Sequence, residues 1–145
     1  MKRYLVAVAV SAIVVVTAAA PAWSADQASD AVLIKRQTAA IPKLQELAAR
    51  VSGYSSETVR VSTAAHQITI TAIRAGTGKE TKLAREIEAA RMISAVANEI
   101  AGKDEFGQVM TIHVNYVARH GKNVPIIHGF DFFRTPTGSF VLHKT

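Results

Sequence analysis

Three residues of this 145-residue chain have the types and spacing to do chemistry together: His113, Asp131 and His143. Two imidazoles flanking a carboxylate support two kinds of work. The carboxylate can orient a ring for proton transfer, or the three can hold a divalent metal through nitrogen and oxygen. Their separation in sequence means that only strand pairing can gather them. The run Val109–His143 supplies that pairing, because VMTIHVNYVA, IIHGFDFF and SFVLH read as three strands joined by two turns. A turn centred between Gly121 and Lys122 pairs residues whose numbers sum to about 244. Val114 then faces Phe130, and Ile112 faces Phe132.

The second turn, Thr135–Gly138, has Pro second and Gly fourth, the pattern of a type I turn with a following Gly bulge. Pairing closes from Thr135 to Ser139, so Phe132 opposes Leu142 and Asp131 opposes His143. The row His113–Asp131–His143 is thereby complete across three strands. The same row on a one-sided sheet also makes an ordinary cross-strand charge pair. A one-residue slip in either hairpin dissolves it. Phe133 and Val141 share its face and suit a protein partner or a lipid or ligand surface. His128 falls on the apolar side beside Tyr116 as a hydrogen-bonded core-edge residue. His120 in a loop and His66 at a hairpin tip are expected to be solvated.

The N-terminus reads as an address. Lys2 and Arg3 precede the apolar run Leu5–Ala20, and Ala22-Trp23-Ser24 places small residues where a signal peptidase cuts. Cleavage near Ser24–Ala25 predicts a periplasmic or secreted protein of bacterial type, whereas an uncleaved segment would anchor it in a membrane. Residues 25–145 then form one domain, with 25–30 as a flexible lead-in. The chain carries 17 basic and 11 acidic residues. Without Lys2 and Arg3 that leaves 15 against 11, a charge of +4. The basic residues are scattered singly, Lys35-Arg36 apart, so no specific nucleic-acid footprint is expected. A cysteine count of zero excludes disulfides, thiol catalysis and thiolate metal sites.

Between these ends the pattern predicts a single two-layer α+β domain: an antiparallel sheet of about five strands with helices packed on one face. Ser29 and Asp30 can cap a first helix with Val32, Leu33 and Ala40 inward. Pro42 should break or kink it near Ile41. A second piece follows with Leu44, Leu47 and Val51 on one stripe, ended by Gly53. Thr58–Thr63 and Gln67–Ile73 alternate as a hairpin, although its link Ala64–His66 lacks Gly, Asn and Asp. Thr77 and Glu80 match a capping box for a long helix, Gly78–Ala101. Its expected inward stripe is Leu83, Ile87, Ala90, Ile93, Val96, Ala97 and Ile100, with Arg85, Glu88 and Glu99 opposite. Gly102 ends it, and Phe106 folds back onto the core.

The strand–strand–helix–strand order of Val59–Val117 resembles small envelope domains of the BON type. That resemblance covers about half the chain and implies phospholipid binding. Gly102 after the helix fits it; Ala64–His66 at the hairpin tip departs from it. The sequence holds no GxSxG, HExxH, Walker or GxGxxG motif. The expectation is therefore an exported, non-enzymatic binding or accessory module with no resident cofactor. The two alternatives are a metal-binding or His-based enzyme on the His113/Asp131/His143 row, and an envelope protein binding phospholipid or another anionic polymer.

Overall fold

The structure, a computed structural model, describes residues 22–74 and 80–144. The apolar run Leu5–Ala20 and the capping residue Thr77 lie outside the described residues. Helix α1 (Ala22–Ser52) leads into a one-turn 3-10 helix at Ser56–Thr58, then strands β1 (Val59–Ala64) and β2 (Gln67–Ile73). Helix α2 (Lys82–Ile100) and a second 3-10 turn (Asp104–Phe106) precede β3 (Thr111–Val117), β4 (Ile126–Arg134) and β5 (Phe140–Leu142). The strands form one sheet in sequence order. The β2–β3 pair at its centre is parallel and all others are antiparallel. The sheet is thus mixed rather than antiparallel throughout as expected, since α2 is the crossover that a parallel connection requires.

Alternation along the strands sends every second residue into the core. Three inward rows cross the sheet: Val59–Ala72–Tyr116–His128, Val61–Ile70–Val114–Phe130 and Thr63–Ile68–Ile112–Phe132–Leu142. Ile68, Ile70, Ile112, Val114 and Tyr116 are fully buried beneath the two helices. The β3–β4 register matches the expected pairings, including Tyr116 with His128, and a bulge then shifts it between Tyr116 and Val117. The second turn also closes as expected. The Thr135 N–H donates to Ser139 at 2.7 Å, the Gly138 N–H donates to Thr135 at 2.9 Å, and Gly138 takes a φ of 88°.

The helices depart from expectation at their starts, at Pro42 and in the faces they bury. Helix α1 begins at Ala22, so Ala25–Asp30 is helical rather than a loose lead-in, and it runs unbroken through Pro42. Proline removes one backbone donor, but the buried stripe Gln37, Leu44 and Ala48 spans that point and packing on the sheet outweighs the loss. Val32 and Val51, expected inward, are exposed. Helix α2 starts at Lys82, where the Thr81 side chain caps the Ala84 N–H. Its buried face is Arg85, Ala89, Met92, Ile93, Val96 and Ile100, while Leu83 and Ile87 are exposed. A polar contact inside the interface, described below, turns the helix this way.

The β1–β2 hairpin shows how tertiary contacts replace turn chemistry. Its two-residue link, Ala65-His66, does not use left-handed backbone at either position. The fully buried Gln37 amide instead donates to the Ala65 carbonyl at 3.0 Å and to the Glu105 carbonyl at 2.8 Å. The Met110 N–H takes the His66 carbonyl at 2.8 Å. Gln37 therefore ties α1, the hairpin tip and the α2–β3 connection together. Replacing Gln37 by Leu should leave two buried carbonyls unsatisfied and cost about 1–3 kcal/mol, measured as a lower urea midpoint with an unchanged slope. A Gln37→Glu change should cost more, since it sets carboxylate oxygens against carbonyls.

Candidate functional site

The face of the sheet away from the helices carries its own rows. One is Arg60–Thr71–Asn115–Gly129 and the next is Ser62–Thr69–His113–Asp131. Beyond the first row, Ile73 pairs with Val117 and Val117 with Ile126. The β3–β4 loop rises over this end of the sheet. Together they enclose a cleft of about 730 Å³ lined by Arg60, Thr71, Ile73, Asn115, Val117, residues 119–124 and Ile126. Gly121 and Asn123 bend the loop with φ values of 152° and 62°. A Cβ on Gly121 would come within 3.0 Å of the Val124 side chain, so glycine is what lets Val124 sit there.

The cleft gathers charges that are dispersed in sequence. Arg60, Arg119 and Lys122 line it together with His120, and of the described residues around it none is Asp or Glu. Arg119 and Lys122 arrive on the loop, and Arg60 comes from the far edge strand. The expectation of uniformly scattered positive charge thus gives way to a local concentration. The β1–β2–β3 register brings Arg60 to it, and the antiparallel sheet expected from sequence did not contain the central parallel pairing.

The expected row His113–Asp131–His143 forms in part. His113 Nδ1 lies 2.6 Å from Asp131 Oδ1. The His143 N–H donates to the Asp131 carbonyl at 2.8 Å, so the backbone register extends as expected. The His143 ring, however, packs edge-on against Phe133 at 5.1 Å. Among the described residues there is no group of three His, Cys, Asp or Glu arranged to hold a metal. The His113–Asp131 pair is partly exposed and, as a surface polar contact, contributes at most about 1 kcal/mol. His66 and His120 are exposed, as expected.

Sequence reasoning missed a second polar cluster, under the same end of the sheet on its covered face. The buried Arg74 guanidinium lies 2.6 Å from a Glu88 oxygen, and the Tyr116 hydroxyl donates to that oxygen at 3.0 Å. Tyr116 also reaches the Arg85 carbonyl at 3.0 Å. Arg85 itself is buried, 3.4 Å from Glu80 and 3.0 Å from His128 Nδ1. Tyr54 stacks on Arg74 with the guanidinium carbon 3.3 Å from its ring centre. Burial pushes the Tyr116 phenol well above its usual range, and the Glu88 carboxylate adds to the shift. Burial raises Tyr54 as well, against the opposing Arg74 charge. This cluster is the contact that rotates α2 and draws Arg85 inward. The proximity of Tyr116 and His128 was legible from the register, but their partners were not.

Comparison with models of known protein families, with curated proteins and with solved structures finds no match to this chain.

His128 lies below the ordinary imidazole pKa, first because of its partial burial and then because Arg85 and Lys82 repel the charged form. In the unfolded chain the ring protonates more readily. The neutral ring therefore stabilises the fold at neutral pH, and that contribution is lost as pH falls through the imidazole range. Between about pH 7 and about pH 5 the melting temperature should drop further in the unaltered protein than in a His128→Gln variant. Equal drops would remove His128 from the acid sensitivity.

Proposed function

We propose that this chain is an exported, non-enzymatic binding module, and that it takes an anionic ligand in the cleft on the open face of the sheet. The observation that carries this reading is the lining: Arg60, Arg119 and Lys122 converge on one cavity without a carboxylate among the described lining residues. Unpaired cations in a concave, partly apolar wall attract anions more strongly than the same charges spread over a convex surface. The carboxylate nearest in the open-face rows, Asp131, is occupied by His113. The volume falls in the range of small-ligand sites, roughly 300–1,000 Å³. The lining residues can bind and orient a ligand, and they offer no nucleophile with an adjacent base.

The export half of the reading is supported by the Lys2–Ser24 pattern. Among the described residues no helix is long and apolar enough to cross a membrane.

Binding is tested by following backbone amide resonances while titrating benzoate or benzylammonium, which match in size and differ in charge. Benzoate should shift Thr71, Asn115 and residues 119–123, and benzylammonium should not. Equal responses, or responses elsewhere only, would refute an anion site in the cleft. Export is tested by the mass of the protein recovered outside the cytoplasm of a bacterial host. Loss of residues 1–24 is expected, and retention of Met1 would overturn the assignment.

A further inference from the structure

Resting on that reading of the cleft, we propose that its ligand is a single-tailed amphipathic anion: a carboxylate or phosphate monoester carrying an alkyl or small aromatic tail. The cleft is divided. Along one row of the sheet Arg60 stands beside Thr71 and Asn115, all polar. One step further along the strands, about 7 Å away, Ile73, Val117 and Ile126 form a continuous aliphatic row across three strands. Val124 closes over this end from the loop. Arg119 and Lys122 stand on the same loop and line the same cavity, so one ligand can meet both cationic and aliphatic lining there.

Each half is suited to its task. Arginine presents a planar donor fork that matches carboxylate and phosphate oxygens in pairs. Ile126 is 56% exposed, a large aliphatic surface left to water beside a concave opening. Burying it under a tail releases that water. A bare inorganic anion would leave the aliphatic row uncovered.

A polymeric anion fits less well. Backbone-tracking sites need a stripe of cations along the surface. The open face leading away from the cleft instead presents Ser62, Thr69, the His113–Asp131 pair and Phe133. A polyanion leaving the cleft along the sheet would find neither lysine nor arginine in these rows, and then an aromatic ring. The observations favour a small ligand that ends inside the cavity.

The test is a calorimetric titration of the full exported protein with acetate, butyrate, hexanoate and octanoate, and with octyl phosphate, all below their micellar concentrations. Affinity should rise about two- to fourfold per added methylene, as burial of a CH₂ predicts. Octyl phosphate should bind at least as well as octanoate, and octyltrimethylammonium should not bind. Arg60→Gln and Arg119→Gln should each weaken every anion about five- to tenfold. Ile126→Ser, at an exposed position, should flatten the dependence on tail length without lowering the melting temperature.

Equal affinity for acetate and octanoate would overturn the amphiphile while leaving the anion site standing. Binding of octyltrimethylammonium as tightly as octanoate would overturn both. Attachment to phosphatidylglycerol vesicles without binding of monomeric octanoate would overturn the proposal in favour of a membrane surface. Affinities unchanged by both arginine substitutions, in variants that melt like the unaltered protein, would place the ligand elsewhere.

Discussion

A buried guanidinium paired with a partly buried carboxylate at the end of β2 constrains much of this fold. Arg74 leaves the sheet as the chain departs for its crossover, with its side chain almost wholly out of water. A charge in that position is tolerated only when paired, and losing one partner of such a pair costs about 3–5 kcal/mol. Glu88 on α2 provides the partner, and Tyr116 on β3 donates a hydrogen bond to the same carboxylate. The two ends of the central parallel pair and the helix between them therefore meet at one oxygen atom. The Arg74 N–H also donates to the Val117 carbonyl at 2.8 Å, which holds β2 and β3 together at the point where the crossover begins.

That cluster and the cleft occupy the two sides of the same strand ends. Because successive strand residues point to opposite faces, Tyr116 enters the core and Val117 turns to the open face. Ala72 and Ile73 divide in the same way. The aliphatic floor of the cleft is thus positioned by residues whose immediate neighbours are fixed in the buried network. A binding wall gains precision when its backbone cannot shift, and rigid strands supply this better than loops do. The β3–β4 loop completes the cleft, with positive φ at Gly121 and Asn123.

Much of the sheet was readable from sequence, and the reason is local. The hairpins Val109–His143 and Thr58–Ile73 declare themselves by alternation, and the Thr135–Gly138 turn is specified by its own residues. In Val109–His143 the registers up to Tyr116 follow from chain geometry, whereas the β1–β2 link is held by Gln37. An antiparallel sheet was expected from sequence and the parallel β2–β3 pairing was missed, because the helix between the strands leaves direction and register to be set by packing rather than by a turn. Everything depending on that pairing was hidden with it: the row from Arg60 to Gly129, and hence the convergence of Arg60 with Arg119 and Lys122. The face of α2 was misjudged for a related reason. Hydrophobic periodicity assumes that apolar residues decide which side is buried. Here the need to pair Arg74 and satisfy the Tyr116 hydroxyl turned Arg85 inward and left Leu83 and Ile87 in water.

The two polar features of the open face differ in what their charges already do. In the His113–Asp131 pair the carboxylate has a partner within the protein, and water screens both members. Both of its groups are engaged with each other and with solvent. The cleft holds cations with no carboxylate in its described lining, against aliphatic surface that lowers the local polarity. Keeping like charges together costs free energy by mutual repulsion, and a bound anion relieves that cost as it binds. The two facing members of the row that looked most like chemistry in sequence are engaged with each other, whereas the residues that looked dispersed gather in the cleft with no carboxylate in its described lining. That concentration of cations, more than the presence of histidine or aspartate, sets the cleft apart on the open face.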